Sequence, residues 1–192
     1  VDFKSVLGKI AINPIERTIS GEVNYDFEVL KPIDTIKIDA QNMTFSDLKI
    51  NGKQIQFINT GKQLQLITAF QKSQNHLVFN YVAKPKQTMY FVGSSETDNL
   101  QIWTQGQGKN TSHWFPSFDD MNEKVTFNLD ITFDKIYQVI SNGFLDEKTV
   151  NANEIICHYR MENPMSSYLL MIAIGKFEEQ KVISKSGIPL YL

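Results

Sequence analysis

Polar and apolar residues alternate with a period of two along most of this chain. In residues 21–30 the apolar positions are Val23, Tyr25, Phe27 and Val29. In residues 124–133 they are Val125, Phe127, Leu129, Ile131 and Phe133. Successive side chains of a strand point to opposite faces, so each segment has one buried and one solvated face. This pattern is typical of antiparallel sheets.

Further short segments are predicted as strands, and turn signals separate them. They are residues 5–12, 34–39, 43–50, 53–58, 63–68, 75–82, 87–92, 100–104, 137–141, 143–149, 153–161, 167–177 and 180–185. The pair Asn51-Gly52 is the strongest hairpin signal, and Asn142-Gly143 marks another turn. No segment of ten or more residues carries a helical apolar stripe. The sequence therefore predicts an all-β fold, a sandwich or related curved architecture of mostly antiparallel sheets.

Size and charge restrict the classes of protein to consider. The 192 residues are 42% hydrophobic, which is enough for one sizeable core, and we expect residues 1–192 to form a single domain. The net charge of −2 without a basic stripe argues against a nucleic-acid partner. No apolar run approaches the length of a membrane span. The single cysteine, Cys157, has no partner for an internal disulfide, and its alternating context predicts a buried thiol.

The longest irregular stretch runs from about residue 93 to residue 121. Long irregular segments inside a compact β domain are often functional. Its aromatic residues either line a sugar- or peptide-binding surface or anchor the loop on the core, and their density favours anchoring. They are Trp103, Trp114, Phe115 and Phe118. We expect Asp119 and Asp120 to cap turns or to pair with a basic residue, and His113 to be a hydrogen-bonded structural residue.

Complete catalytic motifs are missing from the sequence. His76, His113 and His158 are far apart and none has a metal-binding spacing such as HExxH. There is no phosphate-binding loop and no GxSxG motif. Adjacent Asp119 and Asp120 would point to opposite sides of an extended chain, which does not suit an acid/base pair. We therefore expect no catalytic and no metal-binding residue in this chain.

Several segments, in this order, resemble one known family. They are "GKIAINPIERTISGEVNYDFEVL" (8–30), "IKIDAQNMTFSDLKINGKQIQF" (36–57), "TQGQ" (104–107), "FPSFDD" (115–120), "KVTFNLDITFDK" (124–135), "SNG" (141–143) and "NPMSSYLLMIAIGKFE" (163–178). The series is similar to the N-terminal domain of gluzincin-type zinc aminopeptidases of the aminopeptidase N type. The resemblance covers essentially the whole chain.

The resemblance implies a curved, saddle-like β domain that packs against a catalytic domain carrying HExxH and a Gly-x-Met-Glu-Asn motif. Neither motif is present here, so the fragment alone is expected to be inactive, with zinc bound in the missing catalytic domain. Residues 186–192 look like the start of the connection to that domain. The expected partners are the catalytic domain and the amino termini of peptides. The parent would be cytoplasmic or extracytoplasmic; the sequence is compatible with both.

The resemblance also gives roles to two glutamines. In the family, a polar residue eight positions before the Phe of Phe-Pro binds the free α-amino group of the substrate, and here that position is Gln107. Gln105 is implied to line the first side-chain pocket. An ammonium group only donates hydrogen bonds, and an amide carbonyl accepts them. Gly106 and Gly108 are expected to let the backbone approach the substrate closely.

The sequence departs from the family pattern at several positions. Ser117-Phe118-Asp119-Asp120-Met121 replaces the usual Cys-x-Asp-Glu-Pro, Ser112 replaces the usual Arg, and many members have Glu where this chain has Gln107. Residue types alone favour the interpretation that the glutamines are polar loop residues which satisfy local backbone groups. Two other interpretations stay open at this point: a freestanding β-sandwich module that binds carbohydrate or protein, and an inactive relative that keeps the domain as a scaffold.

Overall fold

The chain folds almost entirely into strands. The structure, a computed structural model, describes residues 1–97 and 99–191, with Tyr191 described by its backbone only. The strands in that part are β1 (Asp2–Asn13), β2 (Thr18–Val29), β3 (Ile33–Asp39), β4 (Met43–Ile50), β5 (Lys53–Gln54), β6 (Phe57–Asn59), β7 (Gln63–Phe70), β8 (Ser73–Ala83), β9 (Met89–Val92), β10 (Gln101–Thr104), β11 (Lys124–Asp134), β12 (Gln138–Ser141), β13 (Phe144–Asn151), β14 (Glu154–Arg160), β15 (Met165–Ser166), β16 (Ile172–Gly175), β17 (Lys181–Ile183) and β18 (Pro189–Tyr191). Short 3₁₀ helices span Thr111–His113 and Ser167–Leu169. The all-β prediction is confirmed.

A large sheet forms the base of the fold. Its strand order is β13-β14-β11-β1-β2-β8-β4-β5, with β15 also paired to β11. The inner face carries the apolar residues of the period-two pattern, so Val23, Phe127 and Leu129 are almost completely buried. Burying such side chains contributes about 1.5–3 kcal/mol each. The predicted alternation therefore fixes which face of this sheet becomes the core.

The strands β1 and β11 run parallel at the centre of the large sheet, with Ser5 opposite Thr126 and Ile10 opposite Ile131. All other strand pairings within the described residues are antiparallel. The prediction of mostly antiparallel sheets is therefore confirmed, with this one exception.

Two smaller sheets cover the inner face of the large sheet. The three-stranded sheet β3-β7-β6 packs through aromatic contacts, with the Phe70 and Phe27 ring centroids 6.3 Å apart and those of Phe57 and Phe45 6.5 Å apart. The four-stranded sheet β12-β16-β10-β9 is joined to the large sheet where the Tyr159 hydroxyl donates to the Val139 carbonyl oxygen over 2.7 Å. The result is a layered β architecture around one core.

Two predicted strands differ in detail from the structure. The sequence predicts one strand over residues 53–58, but they divide into β5 of the large sheet and β6 of the three-stranded sheet, because the chain crosses between layers at Ile55 and Gln56. The predicted strand 167–177 begins instead with the 3₁₀ helix Ser167–Leu169, and only Ile172–Gly175 pairs as β16. The Asn51-Gly52 hairpin is confirmed: both residues have positive φ, +50° and +78°, as a type I′ turn requires.

The irregular segment after β10 is tied to the three-stranded sheet. Asp39 and Ser117 exchange two backbone hydrogen bonds, of 2.9 and 3.0 Å. The Gln41 amide also donates to the Ser112 carbonyl oxygen over 2.7 Å. The loop thus has a fixed position between the two smaller sheets.

Candidate functional site

Exposed and buried side chains alternate along β10, and the alternation continues past the end of the strand. The exposed side chains are those of Gln101, Trp103, Gln105 and Gln107. The intervening residues Ile102, Thr104 and Gly106 are buried. Because alternate residues of an extended chain share a face, Gln101 and Trp103 lie on the outer face of the four-stranded sheet. The two sequence-predicted glutamines follow the end of the strand and are exposed, Gln107 within a turn.

Two hydrogen bonds fix the chain at the start of the glutamine segment. The Thr104 hydroxyl accepts a hydrogen bond from the Ile172 amide over 2.9 Å, which joins β10 to β16. The Gln105 amide donates to the Thr88 carbonyl oxygen over 2.7 Å. The peptide groups before and after residue 104 are therefore fixed, while the side chain of Gln105 projects outward.

Gly106 is required by the protein interior. A Cβ atom at this position would lie 2.4 Å from Thr111 Oγ1 and 2.7 Å from the Tyr168 carbonyl oxygen. The Thr111 hydroxyl meanwhile donates to the Ser167 carbonyl oxygen over 2.8 Å. The expectation that Gly106 admits substrate is wrong, since the residue faces the core and packs against the segment after β15.

A tight turn follows and presents Gln107. The Asn110 amide donates to the Gly106 carbonyl oxygen over 3.2 Å, and the Asn110 side chain donates to the Gln107 carbonyl oxygen over 3.3 Å. Gly108 and Lys109 have φ values of +86° and +72°, so the glycine serves a left-handed turn position. Asn110-Thr111-Ser112 matches the Asn-x-Ser/Thr pattern of a glycosylation acceptor, but Thr111 and Ser112 are almost completely buried.

The side-chain amides of Gln105 and Gln107 make no hydrogen bond to protein within residues 1–97 and 99–191. Both side chains are exposed. A primary amide offers a carbonyl acceptor and two N–H donors. Two such exposed groups, two residues apart, can therefore bind a ligand that carries an ammonium group and neighbouring peptide groups.

The aromatic residues of the segment divide into two groups. Trp114, Phe115 and Phe118 are buried, so the prediction that they anchor the loop on the core is confirmed. The prediction is wrong for Trp103, which is 38% exposed and lies on β10. Its ring centroid is 4.3 Å from that of Tyr90, which is also 38% exposed and stands opposite it on β9. Sequence reasoning missed Tyr90, because only strand register brings it beside Trp103.

The polar residues at the end of the segment have structural partners. The Ser112 hydroxyl donates to Asp119 Oδ2 over 2.8 Å, and burial raises the pKa of the Asp119 carboxyl above its ordinary value. Asp120 Oδ1 accepts the Asn122 amide over 2.9 Å and so caps the turn, as predicted. His113 Nε2 lies 2.8 Å from Gln87 Nε2, and burial lowers the pKa of its ring. The prediction of a hydrogen-bonded, structural His113 is confirmed.

The two other histidines lie on the solvated face of the large sheet. His76 Nδ1 is 2.7 Å from Asp26 Oδ1, and His158 Nδ1 is 2.9 Å from Asp130 Oδ1. In the part of the chain that the structure describes, no group of three or more His, Cys, Asp or Glu side chains is arranged to hold a metal ion. We assign no metal-dependent step to the described residues.

Two further sequence predictions concern Cys157 and the membrane. Cys157 is buried, as predicted, and burial raises the pKa of its thiol. Among the described residues, no helix is long and apolar enough to cross a membrane.

Exposed apolar residues surround the glutamines on the outer face of the four-stranded sheet. Strand register places Tyr90, Trp103, Ala173 and Ile140 in one row across β9, β10, β16 and β12. Val92 extends the row along β9, and Ile140 and Val92 are each more than two-fifths exposed. A contiguous exposed apolar surface beside polar groups is characteristic of an interaction site.

Comparison with known families gives one match over most of the chain. Residues 8–169 match the profile described as the peptidase M1 N-terminal domain. The similarity therefore includes the large sheet, the glutamine segment and the loop that follows it.

Curated relatives are much longer than this chain. A leucyl aminopeptidase of Saccharolobus solfataricus is 25% identical over 146 residues, which are 76% of this chain and 19% of that protein. The tricorn protease-interacting factor F2 of Thermoplasma acidophilum is 28% identical over 145 residues, 74% of this chain and 18% of that protein. A glutamyl aminopeptidase of Homo sapiens is 38% identical over 105 residues, 52% of this chain and 11% of that protein. The chain spans about a fifth or less of these relatives.

A solved structure has the same fold. The M1 zinc metallopeptidase from Deinococcus radiodurans superposes with a TM-score of 0.83 at 14% identity, covering 99% of this chain and 46% of that one. At this identity the similarity concerns the fold alone.

Proposed function

This chain belongs to the peptidase M1 N-terminal domain family, and we propose that it forms the substrate-recognition wall of a zinc aminopeptidase whose catalytic residues lie elsewhere in the same polypeptide. The parent reaction is hydrolysis of the first peptide bond of a peptide. In this proposal the chain supplies no zinc ligand and no proton-transfer group. It contributes a docking face, one side of the cleft and recognition of the substrate's amino terminus.

The docking face is the outer surface of the four-stranded sheet. Its apolar row, in which the Trp103 and Tyr90 rings are in contact at an interplanar angle of 30°, suits burial against another domain, since Trp and Tyr are enriched at the centres of protein interfaces. The catalytic domain is the proposed occupant, because the curated relatives extend far beyond the region that this chain matches. Burial of this face would close one side of a cleft next to β10.

The observation that carries the proposal is the exposure of Gln107 with its amide free of protein partners among the described residues. The turn over residues 107–110 holds its backbone, and the side chain is exposed just beyond the end of β10. The Gln107 side-chain carbonyl oxygen would accept a hydrogen bond from the α-ammonium group of the substrate. Gln105, which points the same way, would contact the first side chain. Fixing the amino end at one distance from the reactive centre makes the enzyme remove one residue at a time.

Zinc is proposed for the catalytic domain. When bound there, it would activate the attacking water. This chain's own residues would bind and orient the peptide's amino end and exclude water from its side of the cleft. We likewise propose that residues 186–192 begin the connection to that domain. The structure describes them up to residue 191, where β18 pairs with β17; Leu192 lies outside the described residues.

Substitution of Gln107 in the full-length parent tests the proposal. The variant Gln107→Ala should raise KM for a substrate with a free amino terminus by roughly tenfold or more, since hydrogen bonds to charged groups contribute about 1.5–3 kcal/mol. Gln71→Ala, in the exposed turn between β7 and β8 and away from the docking face, is the matched control and should change KM little. Unchanged KM in Gln107→Ala would contradict the assigned role.

The Tyr90–Trp103 pair also suits a freestanding module that binds sugar on an aromatic platform. The two candidates differ in one observable. Titration of residues 1–192 with a cello- or xylo-oligosaccharide should leave the tryptophan fluorescence unchanged if the face belongs to a domain interface. Saturable quenching that is lost in Trp103→Ala would favour the module.

A further inference from the structure

A second concave surface lies at the β12 edge of the four-stranded sheet, away from the glutamine segment. We call it the β12–β13 groove. It has a volume of about 820 Å³ and is lined by Gln138, Ile140, Ser141, Gly143, Phe144, Leu145, Tyr159, Phe177, Glu178 and Glu179. Such a volume is within the range of binding clefts.

The groove is lined mainly by apolar side chains that the fold leaves uncovered. Phe144 is 48% exposed, Ile140 43% and Leu145 37%. Leu145 stands opposite the buried Tyr159 in the β13–β14 ladder, so it continues the apolar inner face of the large sheet beyond the core. Every residue of β13 is exposed, which means that nothing in the described chain covers this end of the inner face.

Tyr159 holds one wall of the groove in place. Its hydroxyl donates to the Val139 carbonyl oxygen over 2.7 Å, and β12 is an edge strand among the described residues. The hydrogen bond fixes the Tyr159 ring beside β12, where it forms part of the groove lining. We expect an occupant to bind by inserting side chains between β12 and β13.

The charges at the groove select the occupant. Glu178 and Glu179 are both exposed at its rim, and no lysine or arginine is among the described residues that line it. An apolar floor with a carboxylate rim is complementary to a segment that combines a large apolar side chain with basic residues, since opposite potentials favour association and like charges disfavour it.

We propose that the β12–β13 groove receives a basic, extended segment with a large apolar anchor residue, supplied by the domain that packs on the outer face of the four-stranded sheet. The assignment of the segment to that domain rests on the function proposed above. The groove adjoins the docking face, because Ile140 belongs both to the apolar row and to the groove lining.

Two designed peptides test the inference on the purified chain. The basic probe is Ac-Lys-Leu-Phe-Lys-Lys-NH₂ and the acidic probe is Ac-Glu-Leu-Phe-Glu-Glu-NH₂, each titrated to millimolar concentration while amide NMR shifts are recorded. The basic probe should bind at least tenfold more tightly than the acidic one and shift the amides of Ile140, Phe144 and Leu145. Phe144→Ser should abolish this binding; the residue is exposed, so the fold should survive.

Reversing the charges at the rim of the groove tests whether the two glutamates determine the preference. The double variant Glu178→Lys/Glu179→Lys should prefer the acidic probe, whereas Glu16→Lys, in the turn between β1 and β2, should keep the original preference. The inference is overturned if neither probe binds, or if the preference persists in the double variant. Neither result bears on Gln107, whose kinetic test reports on the proposed function independently.

Discussion

The Ser112 hydroxyl donates to Asp119 Oδ2 over 2.8 Å, at a position where the resemblance leads one to expect an arginine. The other carboxylate oxygen, Oδ1, is buried and has no hydrogen-bond partner in the described structure. A neutral hydroxyl compensates a buried carboxylate less than a guanidinium would. Ionisation of Asp119 therefore lowers the stability of the folded chain.

Replacing Asp119 by asparagine should stabilise the chain at neutral pH. Burial raises the pKa of the Asp119 carboxyl in the folded state above its value in the unfolded chain. The folded state therefore gains stability from protonated Asp119, fully so at pH values below the unfolded pKa. This gain is lost as the pH rises through the folded pKa. The amide oxygen of the new side chain would still accept the Ser112 hydroxyl. Urea midpoints should be higher for Asp119→Asn than for the wild type at pH 7, and the two should converge as the pH falls towards about 4, the ordinary pKa of aspartate. Asp120→Asn, at an exposed position, is the control.

Gly106→Ala should destabilise the chain by about 1–3 kcal/mol through overpacking. Two of the atoms that the new methyl group would meet, Thr111 Oγ1 at 2.4 Å and the Tyr168 carbonyl oxygen at 2.7 Å, are held in place. Gly175→Ala is a matched control, because its Cβ would meet the Phe177 ring, which can move. Guanidinium unfolding of both variants measures the difference, and equal losses would contradict the packing role of Gly106.

Stability should fall with increasing pH above about 10, the ordinary pKa of tyrosine. The hydroxyls of Tyr25, Tyr81 and Tyr159 donate to backbone carbonyls in the interior, and burial raises the pKa of all three, that of Tyr159 to about 12. As the pH rises, the tyrosines of the unfolded chain therefore ionise at a lower pH than those of the folded chain. Denaturant midpoints measured from about pH 8 to about pH 11, on either side of that ordinary pKa, should show the loss, and Tyr159→Phe should show a smaller dependence on pH. A flat profile in the wild type would refute this explanation.

Gln107→Glu in the full-length parent should tighten binding of peptides with a free amino terminus. A carboxylate forms stronger, charge-assisted hydrogen bonds with an ammonium group than an amide does. We expect KM to fall about tenfold for free peptides, whereas the inhibition constant of N-acetylated analogues, which lack the ammonium group, should stay unchanged. Steady-state kinetics with the free peptide as substrate and the acetylated analogue as inhibitor checks the result. Equal effects on both would point to a nonspecific change in the cleft.

Residues 1–192 alone should release no product from an aminoacyl chromogenic substrate. The chain lacks HExxH, and its described residues bring together no ligand set for a metal. Addition of zinc should leave the rate at the buffer value. Chelator-sensitive hydrolysis by the purified chain would show that this assignment is mistaken.

The period-two pattern predicted most strands because burial of alternate residues is a local property. It predicted β2 and β11 well, since Tyr25 and Phe127 occupy the same face as their apolar neighbours. The pattern does not predict the order of the strands in the sheet. The contact of β1 with β11 joins residues about 120 positions apart, and no local signal encodes that register.

For the candidate site, too, local signals were predictable from the sequence and contacts between distant residues were not. The positions of Gln105 and Gln107 came from the family resemblance, and their exposure follows from continued alternation after β10. Tyr90 was missed because its partnership with Trp103 depends on the register between β9 and β10. Gly106 was misread because its neighbours, Thr111 and Tyr168, meet it only in three dimensions.

The parallel ladder between β1 and β11 has a consequence for synthesis on the ribosome. Strand β1 can pair with β2 as soon as both have emerged, but its other edge finds its neighbour only when residues 124–134 have been translated. Until then the nascent chain carries an unsatisfied row of N–H and C=O groups in the middle of its future sheet. Completion of the domain is thus delayed until most of it has left the exit tunnel, and a chaperone has a defined interval in which to bind.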